Sequence, residues 1–338
     1  MKAIGYRRTG PIDQPDALVD IELDRPGSPT GHDLLVEIAA VSVNPVDTKI
    51  RQRVEPEGAD WKVLGWDASG RVLAVGPEVS RFKPGDEVFY AGALTRPGTN
   101  SEFHLVDERI VGHKPATLDH AQAAALPLTA LTAWEMLFDR LDVHRPVPGA
   151  ANAVLIIGGA GGVGSMAIQL LKTLTDLTVI ATTSRPETRD WVQSLGADHV
   201  VNHRQPLAAQ LSALGLDNPA FVFSTTATDQ HLDDVVELIA PQGRFGLIDD
   251  PEVLDIRGFK RKSVSVHWEF MFTRSLFGTT DMGEQGRVLD EVARLTDAGR
   301  IRSTLTRRMS PIDAGNLKQA HTLQESGRAC GKTVLEGF

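Results

Sequence analysis

The stretch at residues 154–172, VLIIGGAGGVGSMAIQLLK, restricts the fold more than any other part of this chain. An apolar run at 153–157 is long enough for a buried strand. Gly158, Gly159, Gly161, Gly162 and Gly164 follow it, and then come apolar residues at helical spacing. Gly159, Gly161 and Gly164 fit the pattern G-x-G-x-x-G. Alone that pattern is weak, but between a strand and a helix each glycine has a task. The early ones let the chain turn sharply. Gly161 and Gly162 let backbone N–H groups approach a pyrophosphate with no Cβ in the way. Gly164 lets the helix pack closely on the strand, and the helix N-terminus presents partial positive charge to an anion.

The surrounding chain supports this reading. From 153 to 268 strands and helices alternate, with strands expected at 153–157, 178–182, 199–201, 220–224, 244–248 and 263–267. Helices are expected between several of them, at 164–173, 186–195 and 229–239. Such alternation implies a doubly wound parallel sheet of the Rossmann type. The first third instead reads as short strands separated by Pro26-Gly27, Gly76-Pro77 and Pro84-Gly85 turns, which implies a β-rich domain. Helical stretches fall at 119–142, where Pro127 begins a new segment, and at 285–298 and 311–325; a short strand follows at 333–336.

The end of the second strand distinguishes the two nicotinamide dinucleotides. An NAD site places an acid there to hold the ribose hydroxyls, whereas an NADP site offers cations and hydroxyls to the 2′-phosphate. Here the residues are Thr182, Thr183, Ser184 and Arg185, and no acid appears until Glu187. Arg185 can bind a phosphate bidentately and Ser184 can donate a hydrogen bond. NADPH is therefore the expected cofactor. Its candidate site comprises Gly158, Gly159, Gly161, Gly162, Val163, Gly164, Thr183, Ser184 and Arg185. The later strand ends add His203, Ser224, Leu247 and Ile248.

Bulk properties exclude several other roles. A formal net charge of −9 argues against nucleic-acid or membrane-surface binding. The opening MKAIGYRRTG lacks the apolar core of a secretion signal, and one cysteine, Cys330, permits no intrachain disulfide. A cytoplasmic protein is expected.

Further segments carry a wider resemblance: AVSVNPVDTKIR, VLGWDASGRVLAVG, FKPGDEVFYAG, AALPLTALTAWEML, ATTSRPETRDWVQSLGAD and GKTVLEGF. With the glycine turn, they make the chain resemble the medium-chain dehydrogenase/reductase superfamily over essentially its full length. Its quinone-oxidoreductase-like branch, and within that the zinc-type alcohol dehydrogenase-like bacterial proteins, are the nearest match. The resemblance implies a GroES-like catalytic domain at 1–126 and 274–338, and a Rossmann domain at 127–273. It also implies a cleft between them and a homodimer.

The name of that branch suggests zinc, but the residues depart from it. The resemblance places a ligand histidine in a Gly-His-Glu motif, which reads Gly65-Trp66-Asp67 here, and a ligand cysteine near 43–47, where none occurs. A single cysteine also cannot build a structural zinc lobe. His199 and His203, four apart along a strand, lie about 13 Å from each other and cannot share an ion. No metal is therefore expected. Without that Lewis acid, the expected acceptor is already electrophilic: a quinone or an α,β-unsaturated carbonyl. By resemblance, Asn44 and Thr132 are candidate catalytic residues. Asp47, Trp66, Trp268 and Phe270 are candidate substrate-site residues, and Arg328 and Lys332 are tail cations near the cofactor or cleft. Plainer readings stand beside these: an Asn-Pro turn at Asn44, a threonine bonding its own helix at Thr132, and core or dimer packing for the aromatics. Two alternative functions also remain at this stage, a zinc-type alcohol dehydrogenase and a non-catalytic NADPH-binding sensor.

Overall fold

The computed structural model describes every residue except Glu57 and Ala59. The chain forms two compact units, Met1–Leu131 with Phe272–Phe338, and Thr132–Met271. The cuts lie five and two residues from the positions read from sequence. Pro127 begins a helix that runs on to Trp134, so the first cut falls inside that helix rather than at its start.

The first unit begins with β1 (Lys2–Tyr6), β2 (Val19–Glu22), β3 (Asp33–Ser42), helix α1 (Pro45–Arg53) and β4 (Lys62–Val63). Strands β5 (Ala68–Val75), β6 (Glu87–Tyr90), β7 (Phe103–Asp107) and β8 (Val111–His113) follow, then the short helix α2 (His120–Ala124) and α3 (Pro127–Trp134). Long strand β3 pairs antiparallel with β5, β7 and the C-terminal strand, which explains its nearly continuous buried run. Gly85, at φ +96°, sits in the turn joining β5 to β6. The stretch expected to be mainly helical at 119–142 ends differently: after α3 the backbone widens into a π-helical turn, Glu135–Arg140.

The second unit carries β9 (Ala151–Ile157), α4 (Gly162–Leu174), β10 (Thr178–Thr183), α5 (Pro186–Ser194), β11 (His199–Asn202) and α6 (Leu207–Ala213). It continues with β12 (Pro219–Ser224), α7 (Thr228–Leu238), β13 (Arg244–Leu247) and β14 (Ser265–Trp268). Every pairing is parallel and the strand order is β11-β10-β9-β12-β13-β14. Order therefore reverses at β9, whose apolar residues Ala153 to Ile157 are all buried. The carboxyl end of β9 is the switch point where such sheets bind ligands. Helix α6, unassigned from sequence, is anchored by Leu207 and Leu211, four apart and both in the core.

The tail returns to the first unit with α8 (Thr273–Phe277), α9 (Glu284–Asp297), β15 (Leu305–Met309), α10 (Ala314–Glu325) and β16 (Lys332–Glu336). Strand β16 pairs parallel with β15 and antiparallel with β3, closing the seven-stranded sheet. No helix among the described residues is long and apolar enough to cross a membrane.

Candidate active site

The glycine turn occupies the switch point of the second unit. Gly158 has φ +84°, and a Cβ there would lie 2.4 Å from Thr225 Oγ1. At Gly164 an added Cβ would fall 2.4 Å from the Gly158 carbonyl oxygen and 2.7 Å from Gly159 Cα, so only hydrogen fits between helix and turn. Gly161 differs: its Cβ would meet nothing nearer than 3.6 Å. Packing does not demand glycine there, which matches a face left open for close approach. Gly161 is the N-cap of the 13-residue α4 and offers no side-chain acceptor. First-turn N–H groups have no intrahelical partner, so those of Gly162 and partly exposed Val163 can take an anion.

Thr182 ties this turn to the next strand end. Its hydroxyl accepts from Gly158 N at 3.1 Å and lies 3.3 Å from His203 Nδ1, and its carbonyl accepts from Gly159 N at 3.2 Å. Thr183 ends β10, and Arg185 is the N-cap of α5, 3.5 Å from Glu187. Sequence reading missed His231 on α7, whose ring centroid is 6.0 Å from that of His203. Burial first, then His231, Arg204 and Arg185, hold the His203 pKa below the usual imidazole value.

The other expected cofactor residues are placed less favourably. The Ser224 hydroxyl is buried and bonded to Thr228 Oγ1 at 2.7 Å, and Leu247 is a core residue. Only Ile248 of these three is partly exposed. Asp249, adjacent to Asp250, binds the Thr228 N–H at 2.9 Å and so holds the start of α7.

In the first unit, a buried polar cluster forms where the zinc motif is altered. Asp47, expected at the substrate site, instead accepts from Asn44 N at 2.7 Å and Gly65 N at 3.0 Å and so holds the loop. Burial, the largest cause, pushes the Asp47 pKa up to about 7 against the pull of the Asn44 N–H and of Lys332. Asp67 accepts from Leu128 N at 2.7 Å, Asn44 Nδ2 at 2.8 Å and Lys332 Nζ at 3.0 Å. Burial raises the Asp67 carboxyl, and the Lys332 ammonium is the main cause opposing that rise. Lys332 also donates to Val43 O at 2.9 Å and to Asn44 Oδ1.

These bonds correct the expectation for Asn44. Its carboxamide, 1% exposed, is committed at both ends to Asp67 and Lys332 and has no donor aimed at a substrate. Lys332 is likewise a buried partner of Asp67 and not an open tail cation, whereas Arg328 is exposed. Trp66 is buried, donates its indole N–H to Ala93 O at 3.3 Å and meets Phe272 edge-on at 6.4 Å. Thr132 is buried on α3. Trp268 and Phe270 are 52% and 48% exposed, so they line no apolar wall within their own unit.

This donor set does not fit zinc. The position expected for a histidine ligand is tryptophan, the acid beside it is engaged by an ammonium, and a cation at that place would be repelled by Lys332. His104 is also committed: its Nδ1 lies 3.1 Å from Tyr90 OH and its Nε2 lies 2.9 Å from Pro97 O. Among the described residues no group of three or more His, Cys, Asp or Glu is placed to hold a metal.

A second buried acid pair escaped sequence reading. Glu135, on the π-helical turn, and Glu269, just after β14, are both buried, and Arg140 Nε lies 2.8 Å from Glu269. Burial, then the neighbouring Glu135, pushes the Glu269 pKa well above the usual carboxylate range.

Taken together, a doubly wound unit with a glycine turn at its switch point and a β-rich partner unit define a two-domain oxidoreductase. Residues 30–116 match the alcohol dehydrogenase GroES-like domain and residues 195–335 match the zinc-binding dehydrogenase family. A putative zinc-dependent alcohol dehydrogenase from Rhizobium etli CFN 42 is similar, with 66% identity and a TM-score of 0.98, covering 100% of this chain and 98% of that one. The zinc-type alcohol dehydrogenase-like protein of Staphylococcus aureus (strain MSSA476) is 39% identical over 99% of both chains. Human mitochondrial NAD(P)H oxidoreductase RTN4IP1 is 31% identical, over 90% of this chain and 81% of its own. The chain belongs to the medium-chain dehydrogenase/reductase superfamily.

Proposed function

We propose that this protein is a metal-free, NADPH-dependent reductase acting on a conjugated acceptor, a quinone or an α,β-unsaturated carbonyl. The observation that carries the reading is the Asp67–Lys332 ion pair, at 3.0 Å, beside a buried Trp66. An internal ammonium there serves the electrostatic need a metal would otherwise meet. It leaves no open coordination position to polarise an unactivated alcohol or ketone. A conjugated acceptor needs no such help, because conjugation spreads the charge that hydride addition creates. The name of the human relative, an NAD(P)H oxidoreductase, supports a nicotinamide cofactor.

The residues divide the work. The first-turn amides of α4 bind the pyrophosphate. Ser184, Arg185 and His203 take the 2′-phosphate. Reduced nicotinamide, when bound, supplies the hydride. Trp66 excludes water, and Asp47, Asn44 and Lys332 hold the Gly65–Asp67 segment rigid around it. The product anion takes its proton from solvent. We further assign a homodimer in the cytoplasm: β14 ends the sheet and presents a half-exposed Trp268, a suitable edge for a second copy.

The test is an oxidation screen with NADPH and NADH against quinones, enones, aldehydes and ketones, using chelator-treated protein. Quinone or enone turnover with NADPH is expected to survive chelation. Activity confined to simple alcohols or ketones and restored by zinc would refute the reading, as would binding of NADPH with no turnover on any acceptor. Light scattering on the same sample reports the dimer.

A further inference from the structure

The second unit gathers four basic groups from three chain segments near the carboxyl ends of the paired strands β10 and β11. Arg185 precedes α5, His203 and Arg204 follow β11, and His231 lies on α7. The two imidazoles are partly buried, with ring centroids 6.0 Å apart. Other groups facing His203 are the Thr182 hydroxyl at 3.3 Å and the guanidinium groups of Arg204 and Arg185. No carboxylate is among the charges that act on its ring. The neighbouring acids are engaged: Glu187 lies 3.5 Å from Arg185, Asp234 accepts from Leu207 N at 3.3 Å, and Asp249 accepts from Thr228 N at 2.9 Å. Helix α7 itself also carries Asp229 and Asp233.

Such a cluster works against itself when empty. Each cation disfavours its neighbours' charge, and burial adds to the effect. A dianion seated among them reverses that balance, because it supplies the negative charge that the imidazole rings lack. Imidazoles are the groups that respond, since the guanidiniums stay charged throughout.

We propose that His203 and His231 form a proton-taking pair for the 2′-phosphate of NADPH, so that the cofactor binds together with a proton from solvent and its preference over NADH fades as pH rises. This rests on the NADPH reading above and adds to it His231 as a specificity-determining residue and a proton as a co-ligand. By linkage, one bound proton makes affinity fall up to about tenfold per pH unit where His203 is unprotonated in the free protein. The sign is diagnostic. A free 2′-phosphate loses its last proton near pH 6, and cations push that loss lower, so its own titration releases protons on binding where the histidines take them up.

The experiment is calorimetric titration of the full chain with NADPH and with NADH at pH 7.5, in two buffers of different ionisation enthalpy, and repeated from pH 6.5 to 8.5. For NADPH, net proton uptake and a roughly tenfold loss of affinity across that range are expected. NADH should show neither. His231→Gln and His203→Gln should each reduce the uptake, and the double variant should abolish it while keeping NADH affinity within about twofold. NADPH bound more tightly than NADH, but with no proton uptake or with uptake unchanged in the double variant, would overturn this inference and leave the cofactor reading intact. Equal or tighter NADH binding would overturn both.

Discussion

Replacing Lys332 by methionine tests the central electrostatic feature of the first unit. Lys332 is 4% exposed and Asp67 is fully buried. Methionine preserves most of the chain volume and removes only the ammonium. Asp67 would then keep its Leu128 and Asn44 donors, at 2.7 Å and 2.8 Å, but have no counter-charge. Breaking a buried pair from one side costs about 3–5 kcal/mol. A domain of about 200 residues loses roughly 2–4 °C of melting temperature per kcal/mol. The expected fall is therefore about 6–20 °C near pH 8.

The loss should depend on pH with a definite sign. Without Lys332 the folded-state pKa of Asp67 lies further above its unfolded value, near 4. The stability penalty then grows as pH rises from the unfolded pKa to the folded one and stays constant above it. It should shrink towards acid, where Asp67 is neutral in both states. Lys332→Met combined with Asp67→Asn should recover much of the loss, because neither charge remains. Thermal melts followed by circular dichroism at several pH values provide the assay. A single variant within about 2 °C of the parent at pH 8, or a double variant no better than the single, would refute the reasoning.

Three further outcomes follow from the second unit. Glu269→Gln should flatten its pH–stability profile: burial and the neighbouring Glu135 raise the folded-state pKa of Glu269 above its unfolded value near 4.3, so the parent loses stability as pH rises from that value; denaturant melts from pH 5 to 9 would show it. Gly164→Ala must push a Cβ against backbone 2.4 Å away, so at least a tenfold loss of dinucleotide affinity and a cost of about 1–3 kcal/mol are expected by cofactor titration and melting. Arg185→Ala removes a charge-assisted bond worth about 1.5–3 kcal/mol, so NADPH should weaken roughly 10–100-fold in a fluorescence titration while NADH changes little.

How much of this was legible in the sequence depends on chain distance. The glycine turn is local: strand, turn and helix lie within residues 153–173, where Gly164 is walled in by the Gly158–Gly159 backbone and Gly161 has open space around it. The parallel sheet was equally readable, because its central strands announce themselves by short apolar runs and the outer ones follow the same strand–helix alternation. The substitution of Trp66 at the zinc motif was visible too. What filled the site was not: 265 residues separate Lys332 from Asp67, and they meet because β16 and β5 both pair with β3. The commitment of Asn44 was hidden for the same reason, since Asp67 and Lys332, which hold its carboxamide, come from other segments. His231 and the Glu135–Glu269 pair share this origin. Each joins residues from elements whose adjacency is set by sheet order, and local periodicity carries no record of it.

The two places where cations concentrate also separate scaffold from ligand site on physical grounds. Around Asp67 a single ammonium meets a carboxylate, a carboxamide and a carbonyl, and every polar atom described has an internal partner. That arrangement is complete and has nothing to gain from a further ion. Around His203 the charges are of one sign and raise one another's energy. Glu187 lies 3.5 Å from Arg185, but no carboxylate is among the charges that act on His203. An arriving phosphate would balance them, which is the role proposed above for this cluster. Internal charge balance marks the first as structure, and the like charges around His203 support the proposed anion site.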